Sequence, residues 1–304
     1  MIRIRHMRHR WLTAMILFLS SIHPFAHSFA QHYIGAAVGG HMPMCTDNIA
    51  ATHSKPAFGG EVGAVYEWRN DHFLVQTGLH YALLGSKLTI DDTQLEQEML
   101  DTRGIRFLYQ GDLAKRTDQL LVGQIGVPLF VGGTWQGIYF LTGLRLTVNL
   151  HTQATQKAQL QTIGDYMGRY YDPLENMPNH GYHAYEPVRT SQTVSLKPID
   201  VRIGAEVGYT LELPSGRPGT IALPRLLRIG AFVEYGLFNI CSNAAKSDAP
   251  TSVEPDYTHY MSVNMNHIYT SSDAAKNAAH WLTCGIRVTF LYPISAGKRG
   301  CNCY

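Results

Sequence analysis

Three sets of side chains in this sequence have types and spacings that could do chemistry. The first is a set of soft ligands. His41, Met42, Met44 and Cys45 share one run. Met167, Met177, His180 and His183 lie among Tyr166, Tyr170, Tyr171, Tyr182 and Tyr185, and His259, Met261, Met265 and His267 form a third group. Thioether, thiolate and imidazole suit copper or haem iron. A metal site would draw on His41, Met42, Met44, His180, His183, His259 and His267. No spacing among them matches a recognised site. The plainer reading is ordinary loop composition in a chain with 15 His and 10 Met, and no cofactor is expected.

The second set is ionic: Glu61, Glu67, Glu206 and Glu234 with Arg145, Arg202, Arg228 and Arg287. Each stands in a run where polar and apolar residues alternate. Enclosed together, four of each sign should pair into a network, because an unpaired buried charge is costly. Such a network would plug a narrow interior, the alternative being a gated ion path. The third set is catalytic in type: His80, His151 and His280, expected near strand ends. No Ser-His-acid grouping is legible from spacing, so an enzyme is not expected. Cys301-Asn302-Cys303 follows Lys298-Arg299 and reads as a disordered basic tail with a weak C-x-C motif.

The elements that would position these residues are strands. From Val201 to Glu212 the odd positions are apolar (Val201, Ile203, Ala205, Val207, Tyr209, Leu211). The even ones are glycine, charged or hydroxylic (Arg202, Gly204, Glu206, Gly208, Thr210, Glu212). A period of two over this length is a strand with chemically opposite faces. An apolar face looking outward onto lipid, with small and charged residues inside, is the pattern of a transmembrane barrel strand. Seven further segments repeat it: Tyr33 to Gly40, Gly60 to Trp68, Phe73 to Leu84, Leu120 to Val131, Gly137 to Asn149, Leu226 to Phe238 and Trp281 to Tyr292. Pro128 should mark a bulge or a strand end. Turns are expected at Asn70-Asp71 and Gly132-Gly133.

The connections alternate in length. Joins 41–59, 86–119, 150–199 and 239–280 are long, while those between them are short or intermediate. An even strand count with all long loops at one end is the asymmetry of a membrane barrel. Trp68, Phe73, Trp135, Tyr209, Phe290 and Tyr292 would form an aromatic girdle at the short-turn end. A soluble lipocalin-like barrel would need the two faces inverted.

Residues 1–30 read as a secretory signal peptide: four arginines without an acid, an apolar run from Trp11, then Ser28-Phe29-Ala30. Without that leader the chain has 21 basic residues against 23 acidic ones, and nothing suggests a nucleic-acid partner. All five cysteines fall after it, too few and scattered for a disulfide framework. No segment is an apolar stretch long enough for a spanning helix.

Several short pieces resemble the outer-membrane β-barrel proteins common in Bacteroidetes, PorT-like and other small eight-stranded barrels. They are Leu74 to Tyr81, Ile125 to Leu129, Tyr139 to Arg145 and Glu234 to Ile240. Thr283, Gly285, Val288 and Phe290 are similar to the last-strand signal read by the barrel-insertion machinery, although here the chain continues beyond it. The resemblance implies an all-β, eight-stranded antiparallel up-and-down barrel over residues 31–293, with four long extracellular loops and a short periplasmic tail at 294–304. The expected place is the outer membrane of a Gram-negative cell, with membrane lipid and the insertion machinery as partners. The expected role is structural, or binding of a surface ligand through the loops over a closed lumen. A narrow pore, or a secretion-apparatus or haem-acquisition component, is the alternative.

Overall fold

The computed structural model describes residues 31–47, 52–70, 72–101, 103–177, 182, 184, 186–214, 223–241, 251–254, 262–265 and 278–295. Among them are thirteen strands: β1 (Gln31–Asp47), β2 (Thr52–Pro56), β3 (Gly59–Arg69), β4 (Phe73–Ile90), β5 (Thr93–Leu100), β6 (Arg106–Trp135), β7 (Ile138–Asp165), β8 (Glu186–Thr193), β9 (Ile199–Leu213), β10 (Arg225–Gly236), β11 (Thr251–Glu254), β12 (Ser262–Met265) and β13 (Ala279–Ser295). Eight close a ring in the order β1-β3-β4-β6-β7-β9-β10-β13, with every neighbouring pair antiparallel. A closed ring leaves no unpaired edge, which is what a β-structure needs in lipid.

Two faces make the wall. Outward, Val38, Val62, Leu79, Leu129, Leu144, Ile203, Val207, Ile229 and Ile286 are all exposed. Inward, Glu61, Glu67, Arg145, Arg202, Glu206, Arg228, Glu234 and Arg287 are all buried. A continuous apolar exterior around a charged interior suits hydrocarbon and not water. The inverted, lipocalin-like arrangement is therefore excluded.

The eight expected wall strands all form, but they run further than the alternation of apolar and polar residues suggested. The stretches read as long loops at 86–119 and 150–199 are mostly strand. β6 and β7 stay paired as far as Leu108 and Asp165, with β5 added to β6 and β8 to β7. Beyond the wall this makes a four-stranded sheet, β5-β6-β7-β8. The fourteen or so residues of β6 above the wall correspond to roughly 45 Å of strand. The run from His41 to Cys45 is likewise strand, paired with Gly285 to Trp281 of β13.

Two turn-level expectations are also corrected. The hairpin after β6 turns at Gln136-Gly137, both with positive φ (51° and 84°), and not at Gly132-Gly133. Two positive-φ central residues match the right-handed twist of the flanking strands. Gly132 lies within the ladder opposite Leu141, where a Cβ would come 1.8 Å from the Phe140 carbonyl oxygen. Pro128 is neither a bulge nor an end. The β4–β6 register is the same on both sides of it, and the ladder merely skips a step. Thr77 Oγ1 donates to the Pro128 carbonyl at 2.8 Å, tying the two strands at the gap.

Candidate functional site

The ring positions three layers of side chains inside the barrel. Nearest the short-turn end, Leu74, Phe130, Tyr139 and Leu141 form one buried apolar cluster, and Tyr33, Ala37, Val65, Leu226 and Leu291 another. The middle layer is ionic. Arg145 reaches Glu61 at 2.8 Å and Glu234 at 2.9 Å. Arg287 contacts Glu234 at 3.3 Å and also pairs with Glu61 and Glu206. The Tyr139 hydroxyl donates to Glu206 at 2.6 Å. Arg228 grips Glu67 through both terminal nitrogens and lies 4.8 Å over the Tyr139 ring. Arg287 sits 4.2 Å over Phe232. Such stacking uses the negative ring face to offset part of a guanidinium's lost hydration.

Toward the end opposite the short turns lies a third layer, which includes Cys45, Leu84, Leu88, Leu120, Val122, Ile240, Cys241 and Trp281. Trp281 is wholly buried there. Apolar clusters thus lie on either side of the Arg145-Arg287 layer.

Seven of the eight residues expected in the ionic network pair with one another. Arg202 does not join them: its Nε donates to Asp200 at 3.0 Å and its Nη2 to Gln124. Asp200 and Gln124 belong to the same inward series as Arg202 and Phe130, so extending the alternation by one step on each strand would have found them. A further buried pair, Arg116 with Asp118 at 3.1 Å, lies above the wall in a stretch read as loop.

The candidate metal ligands do not converge. His41 is buried on the lumen side, whereas Met42 points outward from the next position and Met44 shares the Met42 face. Adjacent strand residues cannot chelate one ion from opposite faces of a wall. His180, His183, His259 and His267 lie outside the described residues. Among the described residues no three His, Cys, Asp or Glu side chains gather in a metal-holding group. His80 is not at a strand end. It is buried inside the barrel within β4, on the opposite face from exposed His151. The Nδ1 of His280 lies 3.1 Å from the Gly236 carbonyl, and its ring stacks on Tyr235. In β13, Thr283 and Gly285 face inward, while Val288 and Phe290 lie on the lipid side. The expected girdle residues Phe73, Trp135, Tyr209, Phe290 and Tyr292 are exposed, and Trp68 meets Phe73 edge-on at 6.1 Å.

The protruding sheet has its own core and its own surface. Phe107 stacks on Tyr166 at 4.9 Å and meets Tyr182 edge-on. Burial pushes the Tyr109 and Tyr182 phenols up, and a hydrogen bond with Tyr166 adds to the effect at Tyr182. On the outer face two cross-strand rows, Gln94-Asp112-Gln161 and Glu96-Gln110-Ile163, line a groove of about 210 Å³ closed by Glu175. At the tip Leu100, Met167, Tyr170, Tyr171 and Met177 are exposed.

Ring closure, an apolar exterior and an ionic lumen define the class: an eight-stranded outer-membrane β-barrel. No protein-family model and no curated protein matches the chain. Among solved structures it is similar to Ail, the attachment invasion locus protein of Yersinia pestis, solved with the heparin analogue sucrose octasulfate. Identity is 11%, coverage 86% of this chain and 99% of that one, and the TM-score 0.28. A deletion mutant of TodX, a monoaromatic hydrocarbon channel, matches at 10% identity, with 87% and 91% coverage and a TM-score of 0.17. OpdQ of Pseudomonas aeruginosa matches at 8%, with 88% and 98% coverage and a TM-score of 0.11. These scores are low, so the class rests on the strand ring and its two faces.

Proposed function

We propose that this protein resides in the outer membrane as a closed barrel and works as a surface-binding scaffold through its protruding sheet. The observation that carries the reading is the filled lumen. Apolar lids at both levels enclose an ion-pair layer whose members are at most 5% exposed. An eight-stranded barrel has room for little beyond its own side chains. The strands that leave the wall continue into a paired, four-stranded platform. It carries a carboxylate- and amide-lined groove and an exposed apolar tip, a combination suited to holding a ligand or partner away from the membrane. The short pieces that resemble small Bacteroidetes barrels accord with the same membrane setting, and β13 carries Phe290 and Tyr292 on its lipid face.

Conductance of the purified full chain in planar bilayers tests the closed lumen. The expected result is a silent bilayer, and steady unit conductance would overturn the reading in favour of a narrow pore. Whole-cell binding by protein with Leu100, Tyr170 and Tyr171 changed to Ser, set against the unmodified chain, tests the platform. Equal adhesion to cells and matrix would remove the binding role.

A further inference from the structure

We infer that the outside of the molecule carries a docking collar for the phosphate groups of anionic lipid headgroups, built on Lys55, Lys87, Lys157 and Arg189. The observation behind it is a pair of like-charge juxtapositions. Lys55 of β2 lies directly opposite Lys87 of β4, and Lys157 of β7 directly opposite Arg189 of β8. All four are exposed, and none has an ion pair among the described residues. Like charges facing each other across a ladder weaken the pairing. An anion shared by the two cations removes that penalty and gains charge-assisted hydrogen bonds.

The register makes the two pairs one surface. Lys55-Lys87-Gln119-Thr155-Ser191 is a cross-strand row over β2, β4, β6, β7 and β8, and His53-Thr89-Thr117-Lys157-Arg189 is the next. Same-face residues are two apart, so the rows are about 7 Å apart along the strands. Neither row contains a carboxylate. Asp91 meets His53 at 3.7 Å, at the end away from Lys157 and Arg189. Between the cations stand hydroxyl and amide side chains, which can donate to phosphate oxygens.

Depth selects the partner. One row nearer the belt, Gly85 pairs with Leu121, which is 42% exposed on the outer face. Phe58, 87% exposed, stands beside them: a Cβ on Gly85 would come 3.1 Å from its carbonyl oxygen. The first cationic row thus begins about 7 Å of strand above the last apolar one. The polar layer of a bilayer is roughly 5–8 Å thick on each side, and long cationic side chains reach to it from either row. Farther up, the outer face turns acidic, with Glu96, Asp112 and Glu175 lining the groove. A soluble polyanion arriving from above would meet those carboxylates first, whereas a lipid phosphate already lies at the level of the cations. The collar shares with the proposed function the premise that the belt meets lipid, and nothing else.

The test uses the full chain folded into phosphatidylcholine bilayers, with spin-labelled phosphatidic acid and phosphatidylcholine reporting which lipid the protein surface holds. The unmodified chain is expected to prefer phosphatidic acid. The double variants Lys55→Gln/Lys87→Gln and Lys157→Gln/Arg189→Gln should each cut that preference, by roughly fivefold per cation removed. Added salt should weaken it as well. Arg103→Gln/Arg169→Gln, at the tip of the sheet, should leave it unchanged. In parallel, Lys87→Gln should raise the Tm in pure phosphatidylcholine, where Lys55 and Lys87 repel, and lower it once phosphatidic acid is present. A folded barrel without lipid preference, a preference untouched by both double variants, or a Tm change of the same sign in both bilayers would overturn the collar while leaving the membrane placement intact. Binding of inorganic phosphate in pure phosphatidylcholine, lost in the double variants, would assign the cations to a soluble anion and overturn the lipid. Failure to insert into either bilayer, seen as the absence of a heat-modifiable band, would overturn the membrane placement and the collar with it.

Discussion

β6 and β7 pass through two different molecules. Within the wall, β6 exposes Val127, Leu129 and Val131 and encloses Gln124, Pro128 and Phe130. Some fifteen residues earlier the same strand encloses Phe107, Tyr109 and Leu113 and turns Gln110 and Asp112 outward. The alternation slips by one residue beside Lys115, and the chemistry of the inner and outer sides is exchanged. What changes is the solvent. In lipid, burying apolar surface inside the barrel gains nothing, so the interior is held by ion pairs and hydrogen bonds. In water the hydrophobic effect returns, and the interior becomes apolar again. The boundary shows on β7, where the outward series runs from Ile138 to Leu150 and gives way to His151, Gln153 and Thr155.

The largest effect expected is on the wall. Arg287→Met leaves Glu61 and Glu206 short of their guanidinium and should cost about 5 kcal/mol, the upper range for breaking a buried pair. It should appear as loss of the compact, heat-modifiable band on a gel. The matching break in the sheet is Phe107→Ala, at about 4 kcal/mol. Its cost should stay local: faster hydrogen exchange in β5 and the upper half of β6, with the band on the gel unchanged. If both variants lose the band, the two regions unfold as one unit and the contrast between them fails.

Charge placed on the outer face separates the solvents directly. Leu144→Arg sets a cation in the apolar belt and should cost about 3 kcal/mol. Gln153→Arg, on the same strand and face but above the boundary, should stay within about 0.5 kcal/mol. Urea titration in bilayers measures both, and equal costs would show that the belt does not meet lipid. Alkaline pH gives a milder test. Tyr109 and Tyr182 have raised folded-state pKa values, because burial disfavours the phenolate. Their contribution is complete below the ordinary phenol value of 10.0 and is lost as pH rises toward the folded value. Tyrosinate absorbance should therefore rise late, together with cleavage of the protruding sheet by protease and ahead of any change in the barrel.

The wall was legible because lipid imposes an unusual code: apolar residues at every second position with glycine or charge between them. The seven network residues that pair with one another all stand at polar positions of that alternation. The sheet above the wall was not legible as strand. Its outward residues are Gln, Thr, Lys and Asp, and its inward residues at 152–164 are mostly Thr, Ala, Gln and Gly, so the contrast between faces is weak. Phe107, Tyr109 and Leu113 do alternate, but Lys115 at φ 54° and the register shift beside it break the period where Arg116 enters the interior. The Arg202 partners were missed for a narrower reason. Asp200 lies one residue before the start assigned to its strand, and an amide such as Gln124 carries no charge to suggest a pairing.

The smallest effect tests the short-turn end of the wall. The Gln136-Gly137 turn holds a non-glycine residue at φ 51°, a conformation that costs an L-residue about 1 kcal/mol. Asparagine tolerates that region better and, before glycine, is the preferred pair for this turn. Gln136→Asn should therefore stabilise the protein by about 0.5 kcal/mol. The turn links the lower ends of β6 and β7, next to the exposed Trp135 and Ile138, so the gain belongs to the barrel. It should shift the urea midpoint of the gel-resolved barrel and leave protease cleavage of the protruding sheet unchanged. A gain seen in both would mean that β6 and β7 carry stability from one end to the other, and that the change of solvent at Leu150 does not divide them.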